Sequence, residues 1–167
     1  ISIGDWSSDV CSSDLVIAGN LSKNTTVMVW RGTELAHEAI KHGYDVVMSP
    51  GAYCYFDMYQ DAPGTQPVAN GGFIPTEKVY SYVPGSDLPE AERNMITGVQ
   101  ANLWTEHIPT PEYAEYMLYP RALALAEIGW NGTKTKNYPE FKTRALAQVE
   151  HLKAEGVNPF ELKKEIG

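Results

Sequence analysis

Three short apolar runs constrain this chain more than any other feature. Thr26-Val27-Met28-Val29-Trp30, Asp45-Val46-Val47-Met48-Ser49-Pro50 and the stretch from Met95 to Trp104 read as buried strands. Between the first two, Thr33 to His42 carries helical spacing (Leu35, Ala36, Ala39, Ile40) and stops at Gly43, a suitable C′ residue. After the third, Thr110-Pro111-Glu112 opens a helix with a hydroxyl N-cap, proline at N1 and an acid in the first turn. That helix is expected to run to about Trp130 and to bend at Pro120. Asn137 to Glu155 reads as a last amphipathic helix, with Phe141, Ala145, Val149 and Leu152 on one stripe and Gly156 at its end. Gly51 to Pro89 is a long Gly/Pro/Tyr-rich connection with one or two helical turns at Thr76 to Tyr82, and a connection of that length is usually functional.

Apolar strands alternating with helices predict an α/β fold, with about three parallel strands covered by outer helices. A complete (β/α)8 barrel takes about 250 residues. On that reading the 167 residues here hold the C-terminal portion of a TIM barrel. A small doubly wound domain is the alternative, although no Gly-rich phosphate loop follows the first strand.

Composition removes several function classes. Apolar residues make up 43% of the chain, enough for a core. The net charge is −8 and no Lys/Arg run exceeds two residues, so no nucleic-acid surface is expected. No apolar stretch approaches the roughly 20 residues of a membrane span. His37, His42, His107 and His151 show no metal-ligand spacing with one another or with Cys54, and neither metal nor cofactor is expected. The Asn-x-Ser/Thr triplets at Asn20, Asn24 and Asn131 are short patterns with high chance occurrence.

Residues 1–15 differ from the rest. Asp5 to Leu15 is Ser/Asp-rich, lacks periodicity and resembles the translation of a sequencing-adapter oligonucleotide. It is assigned as a non-native segment, with a genuine polar arm as the alternative, and residues 16–167 are taken as the native domain. Setting residues 1–15 aside removes three aspartates and no basic residue, which brings −8 to −5. It also removes Cys11, leaving Cys54 without an intrachain disulfide partner.

In parallel α/β folds the reactive groups gather at the C-terminal ends of strands. Those ends supply Trp30, then Tyr55 and Asp57, then Trp104 and Glu106. Side chains alternate along a strand, so Trp104 at the end of the third strand and Glu106 two residues on are expected to point the same way. An indole face beside a carboxylate suits a pyranose ring, with its C–H patches and hydroxyl rim, whereas an unpaired carboxylate does not suit a core. Each residue also has a plainer reading. Trp30 fits a core position, Tyr55 and Asp57 fit a turn, and Glu106 fits a cap or a partner for Arg31 or His107. Arg121 and Glu127, six apart on a helix, are read as anchors of that helix.

Val27-Met28-Val29-Trp30-Arg31-Gly32, Asp45 to Pro50, Tyr53-Cys54-Tyr55-Phe56-Asp57-Met58-Tyr59-Gln60, Trp104-Thr105-Glu106 and Met117 to Glu127 together resemble glycoside hydrolase family 20 β-N-acetylhexosaminidases, most strongly bacterial members of the Bacteroidetes type. The likeness spans essentially everything after Leu15. It implies a (β/α)8 barrel, in a periplasmic or secreted setting, that removes terminal β-linked N-acetylglucosamine or N-acetylgalactosamine from glycans with retention. The nucleophile would be the substrate's own 2-acetamido oxygen, an exception to the two-carboxylate scheme. By this resemblance Tyr55 hydrogen-bonds the acetamido oxygen, Asp57 and Glu106 accept from sugar hydroxyls, and Trp30 and Trp104 wall the pocket. The family's catalytic Asp-Glu pair has no counterpart, because the chain contains no adjacent Asp-Glu or Glu-Asp. The expectation is therefore a barrel fragment, inactive alone, with the truncation falling near Val16. Two alternatives stay open: a non-catalytic carbohydrate-binding domain, and a retaining glycosidase that uses Asp57 and Glu106 as its carboxylate pair.

Overall fold

The computed structural model describes residues 21–22, 24–132 and 136–162. The segment 1–15 set apart above lies outside the described residues. The chain divides into two compact units, Ile1–Gly51 with Val83–Gln100 and Ala52–Tyr82 with Ala101–Gly167.

The first unit is built on three parallel strands, β1 (Thr26–Val29), β2 (Asp45–Met48) and β5 (Ile96–Val99), in the order β1-β2-β5. Val27 pairs with Val46 and Val29 with Met48, while Met48 pairs with Val99 across a register shift at Val46/Val47. Side chains alternate as the period of two requires. Val27, Val29, Val46 and Met48 are buried and Met28 and Val47 are half-buried. Each fully buried aliphatic contributes about 1.5–3 kcal/mol. Helix α1 (Thr33–Lys41) lies against β1 and β2, with Ala36 and Ala39 fully buried. It ends as expected at His42, with Gly43 at φ +82°. His37 Nδ1 lies 2.6 Å from Glu92 Oε2 and ties α1 to the short helix α4 (Glu90–Arg93) of the same unit.

The third strand is shorter than the sequence suggests. It ends at Val99 rather than Trp104, and Gln100 N makes the last bond to Met48 O at 3.0 Å. In the second unit the backbone of Asn102 instead bonds the segment around Tyr55. Asn102 N donates to Cys54 O at 2.8 Å and Phe56 N donates to Asn102 O at 2.7 Å. Trp104 then lies in irregular backbone, and Glu106 and His107 form a turn closed by Ile108 N on Thr105 O. No strand carries Trp104 and Glu106, so the expected alternation does not set where they point.

The second unit contains helices α2 (Gly51–Cys54, at the unit boundary), α3 (Thr76–Ser81), α5 (Pro111–Leu118), α6 (Arg121–Asn131) and α7 (Tyr138–Ala154). It also contains a two-stranded parallel ladder, β3 (Met58–Tyr59) with β4 (Asn70–Phe73), inside the stretch expected to be largely irregular. The Thr110 cap is present, its side chain accepting from Tyr113 N at 3.2 Å. The expected single bent helix is instead two helices. Tyr119 takes φ −98° and ψ 140°, the extended conformation a following proline favours, and Pro120 has no amide to continue the ladder. On α7 the buried stripe is Phe141, Ala145 and Val149, with Leu152 half-buried. Tyr80 of α3 stacks on Phe141 at 4.4 Å between centroids, and its hydroxyl donates to Glu127 Oε1 at 2.8 Å. Arg144 holds both oxygens of Glu127 at 2.7 Å.

Candidate active site

The centre of the second unit is Arg121, fully buried at the start of α6. Its guanidinium donates to Phe56 O at 2.5 Å, Met58 O at 2.9 Å and Ile74 O at 3.2 Å, and its Nε donates to Met117 O at 3.1 Å. Its carbon lies 4.9 Å from the centroid of the Phe56 ring. A planar fork of five donors is the side chain suited to several carbonyls at once. Burial pushes its pKa down to about 9 and the Asp57 charge pushes back, so it remains cationic at neutral pH. Arg121 thereby clamps the backbone on both sides of Asp57. The structural reading of Arg121 and Glu127 from sequence agrees with these contacts.

Asp57 is 5% exposed. Its Oδ2 accepts from Asn70 Nδ2 at 2.8 Å, and its carbonyl accepts from Asn70 N at 3.0 Å. Oδ1 is buried and makes no hydrogen bond among the described residues. A buried acceptor without a donor costs about 1–3 kcal/mol, so a donor arriving at Oδ1 recovers free energy. Asn70 and Arg121 were missed as parts of this site from sequence. Asn70 sits in a Gly-rich stretch that reads as loop, and only the β3–β4 pairing brings it to Asp57.

The backbone bridge between Tyr55 and Asn102 sets Tyr55 and Asp57 beside the segment that goes on to Trp104 and Glu106. Tyr55 is half-buried, Trp104 is 50% exposed, and Glu106 is exposed on its turn. A phenol donor, a buried carboxylate, an exposed carboxylate and an open indole face suit a polyhydroxylated ring. Trp30 belongs to the first unit and is not part of this grouping. It follows β1 directly, accepts at its carbonyl from Gly51 N at 3.0 Å, and has the Arg31 guanidinium 4.3 Å from its ring centroid.

Cys54, next to Tyr55, is fully buried, and burial pushes its thiol up to about 12, away from the thiolate that a nucleophile requires. Among the described residues no three His, Cys, Asp or Glu side chains gather as a metal site. Among the same residues no helix is long and apolar enough to cross a membrane. Two cavities of the second unit, about 740 and 170 Å³, share Asp61 and Phe160, and none of the five sequence-predicted residues lines either.

Residues 6–133 match glycosyl hydrolase family 20, catalytic domain. A β-hexosaminidase of Porphyromonas gingivalis is 39% identical over 147 residues, which is 87% of this chain and 19% of that protein. One from Vibrio furnissii is 37% identical over 112 residues, 65% of this chain and 18% of its own length. The chain thus spans about a fifth of the curated relatives it matches. Among solved structures, the exo β-N-acetylglucosaminidase of Vibrio harveyi in complex with N-acetylglucosamine superposes with a TM-score of 0.79 at 30% identity, covering 91% of this chain and 24% of that one. The N-acetyl-β-hexosaminidase of Streptomyces plicatus in complex with thio-NAglucal gives 0.76 at 26% identity, covering 90% and 31%. The parallel strands with flanking helices accord with a partial (β/α)8 barrel, and the chain belongs to the catalytic-domain family of glycosyl hydrolase family 20.

Proposed function

We propose that this chain forms the sugar-positioning part of an exo-acting β-N-acetylhexosaminidase, which cleaves terminal β-linked N-acetylhexosamine from glycans. One observation carries the reading: Trp30, Tyr55, Asp57, Trp104 and Glu106 all fall within the family-matched residues 6–133. The buried, half-satisfied Asp57 carboxylate supports it as a hydroxyl acceptor. In this scheme the acetamido oxygen of the substrate attacks its own anomeric carbon, and the leaving oxygen takes a proton from an acid outside this chain. Water then opens the resulting ring with overall retention. Tyr55 donates its hydroxyl to the acetamido oxygen and holds it at the anomeric carbon, a positional effect capable of several kcal/mol. Asp57 and Glu106 accept from ring hydroxyls, and Trp104 packs on the sugar. Residues 16–167 belong to the barrel in this reading and residues 1–15 do not.

The test is hydrolysis of 4-nitrophenyl N-acetyl-β-D-glucosaminide by the full-length protein that carries this chain, with the corresponding β-glucoside as control. The acetamido substrate should be cleaved and the glucoside should not. Tyr55→Phe should lower kcat about 10- to 100-fold with a smaller change in KM. Residues 16–167 alone should release no nitrophenol, since they hold no adjacent Asp-Glu pair. Equal cleavage of both substrates, or an unchanged kcat in Tyr55→Phe, would sink the assignment.

A further inference from the structure

Asp57 has two carboxylate oxygens in unlike surroundings. Oδ2 is occupied by Asn70 Nδ2 at 2.8 Å, whereas Oδ1 is buried and without a hydrogen bond among the described residues. Asn70 makes a second contact to the same residue, its amide N donating to the Asp57 carbonyl at 3.0 Å. The backbone of Asp57 is also held on either side, at Phe56 O and Met58 O, by the Arg121 guanidinium. Arg121 thus fixes where the residue sits, and among the described residues the Asn70 side chain is the one hydrogen-bond donor to its carboxylate. Without that donor the carboxylate is free to turn about χ2, a broad and roughly two-fold torsion.

We propose that Asn70 is a positioning residue for sugar recognition. By occupying Oδ2 it stops rotation of the Asp57 carboxylate and presents Oδ1 as the acceptor for one substrate hydroxyl. This rests on the reading of Asp57 as a sugar-binding residue. Asn70 sits at the first position of β4, which pairs with β3 directly after Asp57, so the same ladder that orders the loop supplies the donor. A hydrogen bond from a sugar hydroxyl to an oriented, water-poor carboxylate discriminates against analogues that lack the hydroxyl. Since the bond forms in the bound substrate and persists through the reaction, its loss weakens binding uniformly.

The experiment is a double-mutant cycle in the full-length protein, with Asn70→Ala, Asp57→Ala and the pair, read with 4-nitrophenyl N-acetyl-β-D-glucosaminide. Asn70→Ala should raise KM about tenfold and leave kcat within about threefold. In the Asp57→Ala background the same change should have no further effect. Asn70→Asp has the same volume but turns the donor into an acceptor, and it should raise KM at least as much; it serves if Asn70→Ala fails to fold. An unchanged KM in the folded Asn70 variants, or losses that add fully in the double variant, would overturn the proposal. If Asp57→Ala itself retains wild-type kcat and KM, the sugar-binding reading of Asp57 falls first. If Asp57→Ala is impaired and Asn70→Ala is not, only the role of Asn70 falls.

Discussion

Replacing Arg121 by leucine removes a buried cation and leaves four main-chain carbonyls, of Phe56, Met58, Ile74 and Met117, without their donor. Each buried acceptor so orphaned costs about 1–3 kcal/mol. The lower edge of that range, taken four times, is about 4 kcal/mol, inside the roughly 3–5 kcal/mol expected when one side of a buried charged network is deleted. Leucine restores some apolar packing and removes the desolvation that depresses the guanidinium, which keeps the expected loss near that lower edge. Lysine retains the charge beside Asp57 but has three donors without a planar fork. Arg121→Lys should therefore lose about half as much. Urea unfolding of the full-length protein, followed by far-UV circular dichroism, provides the measurement. With a slope of about 2 kcal/mol/M, Arg121→Leu should move the midpoint of the transition containing this region by about 2 M. A shift below about 0.5 M would mean that the carbonyl clamp does not hold the Tyr55–Asp57 segment, and the reasoning would fail.

Desolvation opposes ionisation of Glu127, but hydrogen bonds from Arg144 and Tyr80 outweigh it and hold the carboxyl below its usual range. That contribution is fully present above the ordinary carboxylate pKa and is lost as pH falls through the lower folded value. Arg144→Gln should lower stability slightly at neutral pH, and its stability should converge with wild type in acid; a difference that persists in acid would contradict this. Cys54 should resist iodoacetamide at pH 8 in the native protein and react in urea, as read from the mass of its peptide, because burial pushes the thiol up to about 12. Gly85 takes φ +68°, and an added Cβ would overlap Ile96 Cδ1. Gly85→Ala should cost about 1–2 kcal/mol or more, and an unchanged melting midpoint would refute it.

Local patterns in the sequence were enough for the elements whose shape depends on near neighbours. The apolar strands starting at Thr26 and Asp45, the Gly43 stop and the Thr110 cap appear as read, since period and capping act within a few residues. The resemblance of ordered motifs was enough for the family. Features set by distant partners were not legible. The run through Trp104 looks like one strand, yet Asn102 leaves the sheet because the backbone groups of Cys54 and Phe56 need partners. Asn70 looks like loop until β4 lies beside β3. An acid and a base beside apolar positions of one helix gave Arg121 an anchoring role, but only packing shows what it anchors: the carbonyls on either side of Asp57. The sequence by itself determined which chemical groups this protein carries and in what order. Tertiary structure decided which oxygen of Asp57 is occupied and which is left to accept, because that depends on a donor brought from 13 residues away.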